Sequence, residues 1–275
     1  MDTVLQALIM GIVQGLTEFL PISSSGHLIL VPAMLGWDDP FTESLTFSVL
    51  LHLGTLVALL VYFWRDWVRL VPAGLAALRD RSFRGDPDRR LAWLLLVTVI
   101  PATIVGLLFN DFIEENVRLP GIVAILLVVG AAILWLADRS NRGTRTIADL
   151  SFGHALGIGA AQAIALFPGI SRSGISIAAG RFLGLDRPAA ARFSFLMATP
   201  VIAGAGAWET LKIVRGGGDA PVDVAPLVVG MLAALVSGLL AIHFLLRWLA
   251  SHRLDLFVAY RLVLAGAVVI WFLAP

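Results

Sequence analysis

Two stretches of this 275-residue chain repeat each other: GIVQGLTEFLPISSSGH at residues 11–27 and GAAQAIALFPGISRSGI at residues 159–175. Superposed, Gly11, Gln14, Phe19, Ile22, Ser23, Ser25 and Gly26 fall on Gly159, Gln162, Phe167, Ile170, Ser171, Ser173 and Gly174. Each copy is an apolar segment interrupted by proline and then by a serine and glycine cluster. In a chain built for lipid, interruptions at matching places in the two halves mark a binding site near the bilayer midplane.

The rest of the chain is built for lipid. Hydrophobic residues make up 59% and charged residues 14%, and the mean hydropathy of +0.90 lies far above soluble usage. Charge-free stretches at 44–64, 91–109, 119–137 and 224–246 are each long enough to cross about 30 Å of hydrocarbon as a helix. Shorter ones at 193–208 and 262–275 make two more. Strand-like alternation is absent, so the expected fold is an all-α polytopic membrane protein of about six full spans. No basic region precedes the first apolar run, so it is expected to stay in the protein. Cysteine is absent, which excludes disulfides, thiolate metal sites and a cysteine nucleophile. A net charge of +1 gives no reason to expect nucleic acid as a partner.

Orientation follows from arginine, since Lys212 is the only lysine. Arg65, Arg69, Arg79, Arg81, Arg84, Arg89 and Arg90 crowd one loop, which the positive-inside rule assigns to the cytoplasm. That choice puts Asp111, Glu114, Glu115 and Arg118 outside, then Arg139, Arg142 and Arg145 inside. Further on, Arg187 and Arg192 fall inside, Lys212 and Arg215 with Asp219 and Asp223 outside, and Arg247 and Arg253 inside. Residues 1–35 and 151–184 are too broken for one clean span and read as re-entrant helical hairpins, which need a protein or water-filled surround. Each hairpin is followed by three spans, an odd number, so the halves 1–150 and 151–275 form an inverted-topology repeat within one membrane domain. TFSVL at 46–50 against RFSFL at 192–196 extends the repeat. The segment 79–90 alone resembles a soluble linker or short surface helix.

The chemistry lies at the interruptions. Gln14 and Glu18 are four apart and share a helix face; Pro21 closes that helix; Ser23, Ser24, Ser25, Gly26 and His27 follow. A carboxylate, three hydroxyls and an imidazole inside an apolar stretch point to function. In the second copy Arg172 stands between Ser171 and Ser173, ahead of Gly174, at an expected helix N-terminus where free N–H groups and a guanidinium together hold a phosphate. One hairpin thus supplies base-like groups and the other an anion clamp, which describes a phosphoryl site. The structural alternatives are a Glu18–Arg172 ion pair and serines that only cap helices. His52, His154, His243 and His252 have no partner at metal-ligand spacing, so no dedicated metal cage is expected. Arg181, Arg187 and Arg192 read as orientation signals or head-group contacts. Gly153 with Gly157, and the small-residue run 203–207, read as sites of close helix packing.

QGLTEFLPISSSGH at 14–27 and PGISRSGIS at 168–176 resemble the two signature segments of the bacterial undecaprenyl-diphosphate phosphatases, the bacitracin-resistance family. The likeness runs along essentially the whole chain, including FSFLMATPVIAGA at 193–205. Ser25 and Ser176 stand where the family usually has threonine, and both keep a hydroxyl. The resemblance implies removal of the terminal phosphate from a C55 polyprenyl diphosphate, which returns the lipid carrier to cell-wall polymer synthesis and confers bacitracin resistance. It further implies a site open to the outer face of the cytoplasmic membrane, and homodimers. Glu18, Ser24, His27 and Arg172 are the catalytic candidates; Gln14, Ser23, Ser25, Ser171, Ser173 and Gly174 are the substrate-binding candidates. The nucleophile can be Ser24, His27 or a water activated by Glu18. Mg²⁺ or Ca²⁺ can bridge Glu18 and the diphosphate without a protein cage. The rival function is a transporter or flippase of polyprenyl phosphate or another anion, because inverted repeats with broken helices also build carriers.

Overall fold

The computed structural model describes residues 2–83, 85–140, 143–217 and 220–273. Arg84, Arg142 and Asp219, and the side chains of Asp111 and Glu114, which entered the orientation count above, lie outside the described residues. Twelve α-helices are described: α1 (Thr3–Phe19), α2 (Ser24–Leu35), α3 (Leu45–Tyr62), α4 (Trp64–Asp80), α5 (Pro87–Val97), α6 (Val99–Asn116), α7 (Pro120–Ser140), α8 (Phe152–Ala163), α9 (Arg172–Phe182), α10 (Arg187–Val214), α11 (Val224–Leu249) and α12 (Asp255–Leu273). Six segments are long and apolar enough to cross a membrane: α3, 87–109 in α5 and α6, α7, α10, α11 and α12. They match the six charge-free stretches. The protein is a multi-pass membrane protein.

The pairs α1/α2 and α8/α9 are the two hairpins, and they pack reciprocally. Helix α1 lies along α11, while α8 lies along α5 and α6; each hairpin therefore rests on the middle span of the opposite half. The repeated glycines sit at these crossings. A Cβ on Gly11 would overlap the Gly230 carbonyl oxygen of α11, and one on Gly159 would lie 2.6 Å from the Thr98 carbonyl oxygen at the α5/α6 junction. Backbones approach this closely only where a side chain is missing. Gly157 meets nothing within 4 Å and Gly153 only Ser151 Oγ at 3.7 Å, so the expected packing pair is not a packing pair. Within 203–207, Gly206 abuts Leu53 whereas Gly204 faces open space.

Helix α4 differs from the sequence expectation: the helix runs over Trp64–Asp80, ahead of the segment 79–90 that reads as a linker or short surface helix. It carries Trp64, Val68, Val71, Leu75 and Leu78 exposed on one side and Leu70 and Ala77 buried on the other, the pattern of a helix lying in the membrane interface. The arginines after it are tied to neighbouring elements. Arg192 donates to both oxygens of Asp66 at 2.7 and 2.8 Å. Asp138 is buried; Arg187 donates to it at 2.6 Å, Arg181 lies 3.5 Å from it, and the Leu254 amide donates at 3.1 Å. Arg181, fully buried, is a cross-brace between α7 and α9 and not a head-group contact. The main core lies beneath the hairpins, where Phe19 of α1 meets Phe195 of α10 edge to face at 5.5 Å.

Candidate active site

Both hairpins turn in the same way. Ser23 and Ser171, at aligned positions, have φ of 76° and 75°, a region that L residues enter only at a cost of about 1–3 kcal/mol. Each then caps the next helix, Ser23 Oγ accepting from Gly26 N at 3.3 Å and Ser171 Oγ from Gly174 N at 3.1 Å. The two turns also grip one another. Gly169 N donates to Ser23 Oγ at 3.1 Å, and Ser173 Oγ donates to the Leu20 carbonyl at 3.0 Å. Behind them Arg261 of α12, fully buried, donates to the carbonyls of Gly169 at 2.7 Å, Ile170 at 3.0 Å and Leu127 at 3.1 Å. Gly130 of α7 leaves the space that its guanidinium fills. An arginine here satisfies carbonyls that interrupted helices would otherwise leave unpaired in lipid.

This clasp delivers the reactive groups to one point. Glu18 ends α1 with its side chain only 4% exposed. Its Oε1 accepts from Arg172 Nη2 at 3.0 Å and Nε at 3.2 Å. Its Oε2 accepts from Ser24 Oγ at 2.6 Å and Gln14 Nε2 at 3.2 Å, with His52 Nε2 at 3.3 Å. Every neighbour is a donor, as a carboxylate requires. Arg172 is steadied from the far side by the Ser194 carbonyl, which accepts from Nη1 at 3.1 Å.

A cavity of about 210 Å³ opens onto these groups. Glu18, Ser24, Ser25, His52, Gln162 and Arg172 give it a polar wall, and Val49, Ala102, Val201 and Ile202 an apolar one. A polar wall against an apolar one suits a ligand with a charged head and a hydrocarbon tail. A larger recess of about 620 Å³ lies between Tyr62, Arg65, Arg69 and Arg192. It sits among the surface arginines, and its one acid, Asp66, is already bonded to Arg192 and Arg69, so the reactive groups belong to the smaller cavity.

The remaining candidates divide. Ser23, Ser171, Ser173 and Gly174 build the clasp, while Ser25 lines the cavity. His27 is 5% exposed, and both its ring nitrogens meet groups other than Glu18. The Ser23 carbonyl accepts from its Nδ1 at 2.7 Å, and the Tyr260 hydroxyl stands 2.8 Å from its Nε2; with Nδ1 protonated, Nε2 is the acceptor. The Glu18–Arg172 pair, weighed above as a structural alternative, is present and lines the same cavity. His52, set aside as a histidine without a partner, stands beside Glu18. No repeated segment contains it; its one signal is that it stands a helical turn beyond Ser48 of the extended repeat. Tyr260 and Arg261 lie outside every repeated segment, and nothing in the sequence pointed to them.

A resident divalent cation does not fit this donor set. Among the described residues Glu18 is the only carboxylate on the cavity, its oxygens already face five donors, and no three His, Cys, Asp or Glu gather to hold a metal.

A family model described as Bacitracin resistance protein BacA matches residues 7–267, a range that contains both serine turns. The chain is 46% identical over 265 residues to an undecaprenyl-diphosphatase of Desulforudis audaxviator, covering 96% of each. It is 45% identical over 266 residues to an undecaprenyl-diphosphatase of Thermomicrobium roseum, covering 94% of each. It is 44% identical over 261 residues to one of Idiomarina loihiensis, covering 95% of this chain and 96% of the relative.

Proposed function

The chain belongs to the bacitracin resistance protein BacA family, and on that premise we propose how its site works as an undecaprenyl-diphosphate phosphatase. It hydrolyses undecaprenyl diphosphate to undecaprenyl phosphate and inorganic phosphate, recycling the lipid carrier for cell-wall polymer synthesis and conferring resistance to bacitracin. The observation that carries the mechanism is Ser24 Oγ at 2.6 Å from Glu18 Oε2, with Arg172 on the other oxygen.

The diphosphate enters the cavity head first, and its tail follows the apolar wall out between the spans. Arg172 meets the terminal phosphate through its planar fork, with Ser25 and the amide groups at the start of α9 as further donors. As Arg172 turns to the phosphate, Glu18 loses a cation and becomes the stronger base. Ser24 Oγ then attacks the terminal phosphorus and its proton passes to Glu18 Oε2. The bond from phosphorus to the bridging oxygen breaks, and undecaprenyl phosphate leaves with that oxygen. Water next attacks the phosphoserine: Glu18 returns its proton to Ser24 Oγ as the serine–phosphorus bond breaks and takes one proton from the water, whose oxygen and remaining proton leave as inorganic phosphate, and Glu18 then gives its proton to solvent, which restores the carboxylate. His27 is placed to hold the turn through Ser23 and not to take the Ser24 proton, which favours Ser24 over His27 as nucleophile. Arg172 offsets charge in both transition states. Mg²⁺ or Ca²⁺ would enter with the diphosphate and would supply charge neutralisation there, beside Arg172.

The membrane is the bacterial cytoplasmic membrane, with the cavity open to its outer side. Support comes from the arginine-rich segments 65–90, 139–145 and 187–192, which share contacts such as Arg192 with Asp66 and by the positive-inside rule suit the cytoplasmic end. The test is phosphate release from C55 diphosphate by purified protein beside Glu18→Ala, Ser24→Ala, His27→Ala and Arg172→Ala. Release that collapses in the Glu18, Ser24 and Arg172 variants while their melting stays close to wild type supports the scheme. Well-folded wild type that moves polyprenyl phosphate across vesicles without releasing phosphate would make the protein a carrier instead.

A further inference from the structure

His52 reaches the site from α3, outside both repeated segments, and two contacts define its state. Its Nδ1 lies 2.7 Å from the Ser48 carbonyl oxygen, and a carbonyl only accepts, so Nδ1 bears a proton. Its Nε2 lies 3.3 Å from Glu18 Oε2. That oxygen belongs to a carboxylate, and a nitrogen lone pair aimed at it would be repelled, so Nε2 bears a proton too. His52 is then an imidazolium, and Glu18 stands between two cations.

The two cations are mounted alike. Superposing TFSVL of α3 on RFSFL of α10 places Ser48 on Ser194. The Ser48 carbonyl holds the His52 ring, and the Ser194 carbonyl holds Arg172 Nη1. His52 also lines a second cavity of about 150 Å³, which shares Ser25, Val49 and Leu166 with the catalytic one and extends to Arg118. It therefore stands where the two cavities meet, beside the path of an entering head group.

The need for a second cation follows from the role of the first. Once Arg172 turns to the phosphate, a carboxylate 4% exposed with no cation beside it takes up a proton from solution. In that form it cannot accept the proton of Ser24. Of its other neighbours Gln14 and Ser24 are neutral and His27 faces Tyr260, while Arg118 lines the second cavity and not the catalytic one. Resting on the phosphatase function above, we infer that His52 is a positioning residue of the reaction: it remains on Glu18 when Arg172 leaves and keeps that carboxylate ionised for Ser24.

The test is kcat against pH for phosphate release from C55 diphosphate by wild type, His52→Gln and His52→Lys. Glutamine keeps a donor toward Glu18 but no charge. Its kcat at neutral pH is expected to fall about 10- to 100-fold, and the acid limb to move up by about one pH unit or more as Glu18 protonates more readily. Lysine restores the cation, and with it the wild-type acid limb. An unmoved acid limb in His52→Gln, whatever its kcat, overturns the inference by reducing His52 to a structural role. If the glutamine variant does not fold, the lysine profile decides: a wild-type limb supports the inference and a raised one overturns it. A readout independent of turnover is the ¹⁵N spectrum of His52 in wild type at pH 7, where two protonated ring nitrogens are expected and a neutral ring overturns the inference. Absence of phosphate release from wild type would refute the phosphatase function, and the ¹⁵N spectrum still decides the state of His52.

Discussion

Replacing Glu18 with glutamine keeps the shape of the side chain and removes its ability to accept protons. In the native site five donors converge on two acceptor oxygens: two from Arg172 on Oε1, and Ser24, Gln14 and His52 on Oε2. An amide turned to keep its oxygen on Arg172 directs its NH₂ at Gln14 Nε2 and His52 Nε2, donors against donors, and at Ser24 Oγ, which must turn to accept. Turned the other way, it presents NH₂ to a guanidinium. Ser24 loses its proton acceptor in the first case, and in the second faces an amide oxygen too weakly basic to take the proton. Loss of a general base costs about 10²- to 10⁴-fold in kcat, or about 3–5 kcal/mol of barrier. Glu18→Asp retains the charge but withdraws it by roughly 1.5 Å, stretching the 2.6 Å contact to Ser24 beyond hydrogen-bond reach; a smaller loss, about 10- to 100-fold, is expected. The assay is phosphate release from C55 diphosphate at saturating substrate, with melting in the same detergent to verify folding. A folded Glu18→Gln protein that turns over within about tenfold of wild type would refute the role of Glu18 as base and with it Ser24 as the activated nucleophile.

Arg172→Lys should lower kcat/KM by about 10- to 100-fold, because one ammonium cannot keep the Ser194 contact and also hold a phosphate as a planar fork does; steady-state kinetics with a retained melting temperature would check this. Gly11→Ala and Gly159→Ala should each destabilise by about 1–3 kcal/mol through overpacking at the hairpin crossings, whereas Gly157→Ala, which meets nothing within 4 Å, should be neutral within about 0.5 kcal/mol; thermal unfolding in detergent separates them. Asp39 lies outside the spans. Burial alone would raise its carboxyl, but the Thr42 amide, the hydroxyls of Thr3 and Thr42 and the Phe41 amide outweigh burial and hold it below the ordinary value. The stability it contributes is therefore complete above about pH 4 and drains away as pH falls through the lowered folded value. Melting followed from neutral to acid pH should show Asp39→Asn converging on wild type at the acid end.

Much of the site was legible because the chemistry and the chain break coincide. Glu18, Ser24 and Arg172 sit in repeated segments of apolar surroundings, where an ionisable residue has little purpose except function. The six spans were legible for a related reason: about 30 Å of hydrocarbon demands long charge-free runs, and few other segments can supply them. Helix α4 was less so, since a helix in the interface mixes arginine with Val68, Val71 and Leu75 and reads locally as a polar loop. Gly153 and Gly157 misled because small residues at helical spacing permit close packing without requiring it, and only the position of a neighbouring helix decides.

The sequence by itself determined the membrane class, the two broken hairpins, their relation by repeat and the charge carried by each. Hydropathy, proline and ionisable residues act over a few neighbouring positions, so they can be read along the chain. Tertiary structure alone decided that Arg172 closes on Glu18 across 154 positions, that His27 turns to Tyr260, and that His52 stands against Glu18. Those contacts depend on which way each helix is rotated in the bundle. Close packing of glycine against carbonyl and the buried Arg261 brace set that rotation, and no local pattern of residues records it.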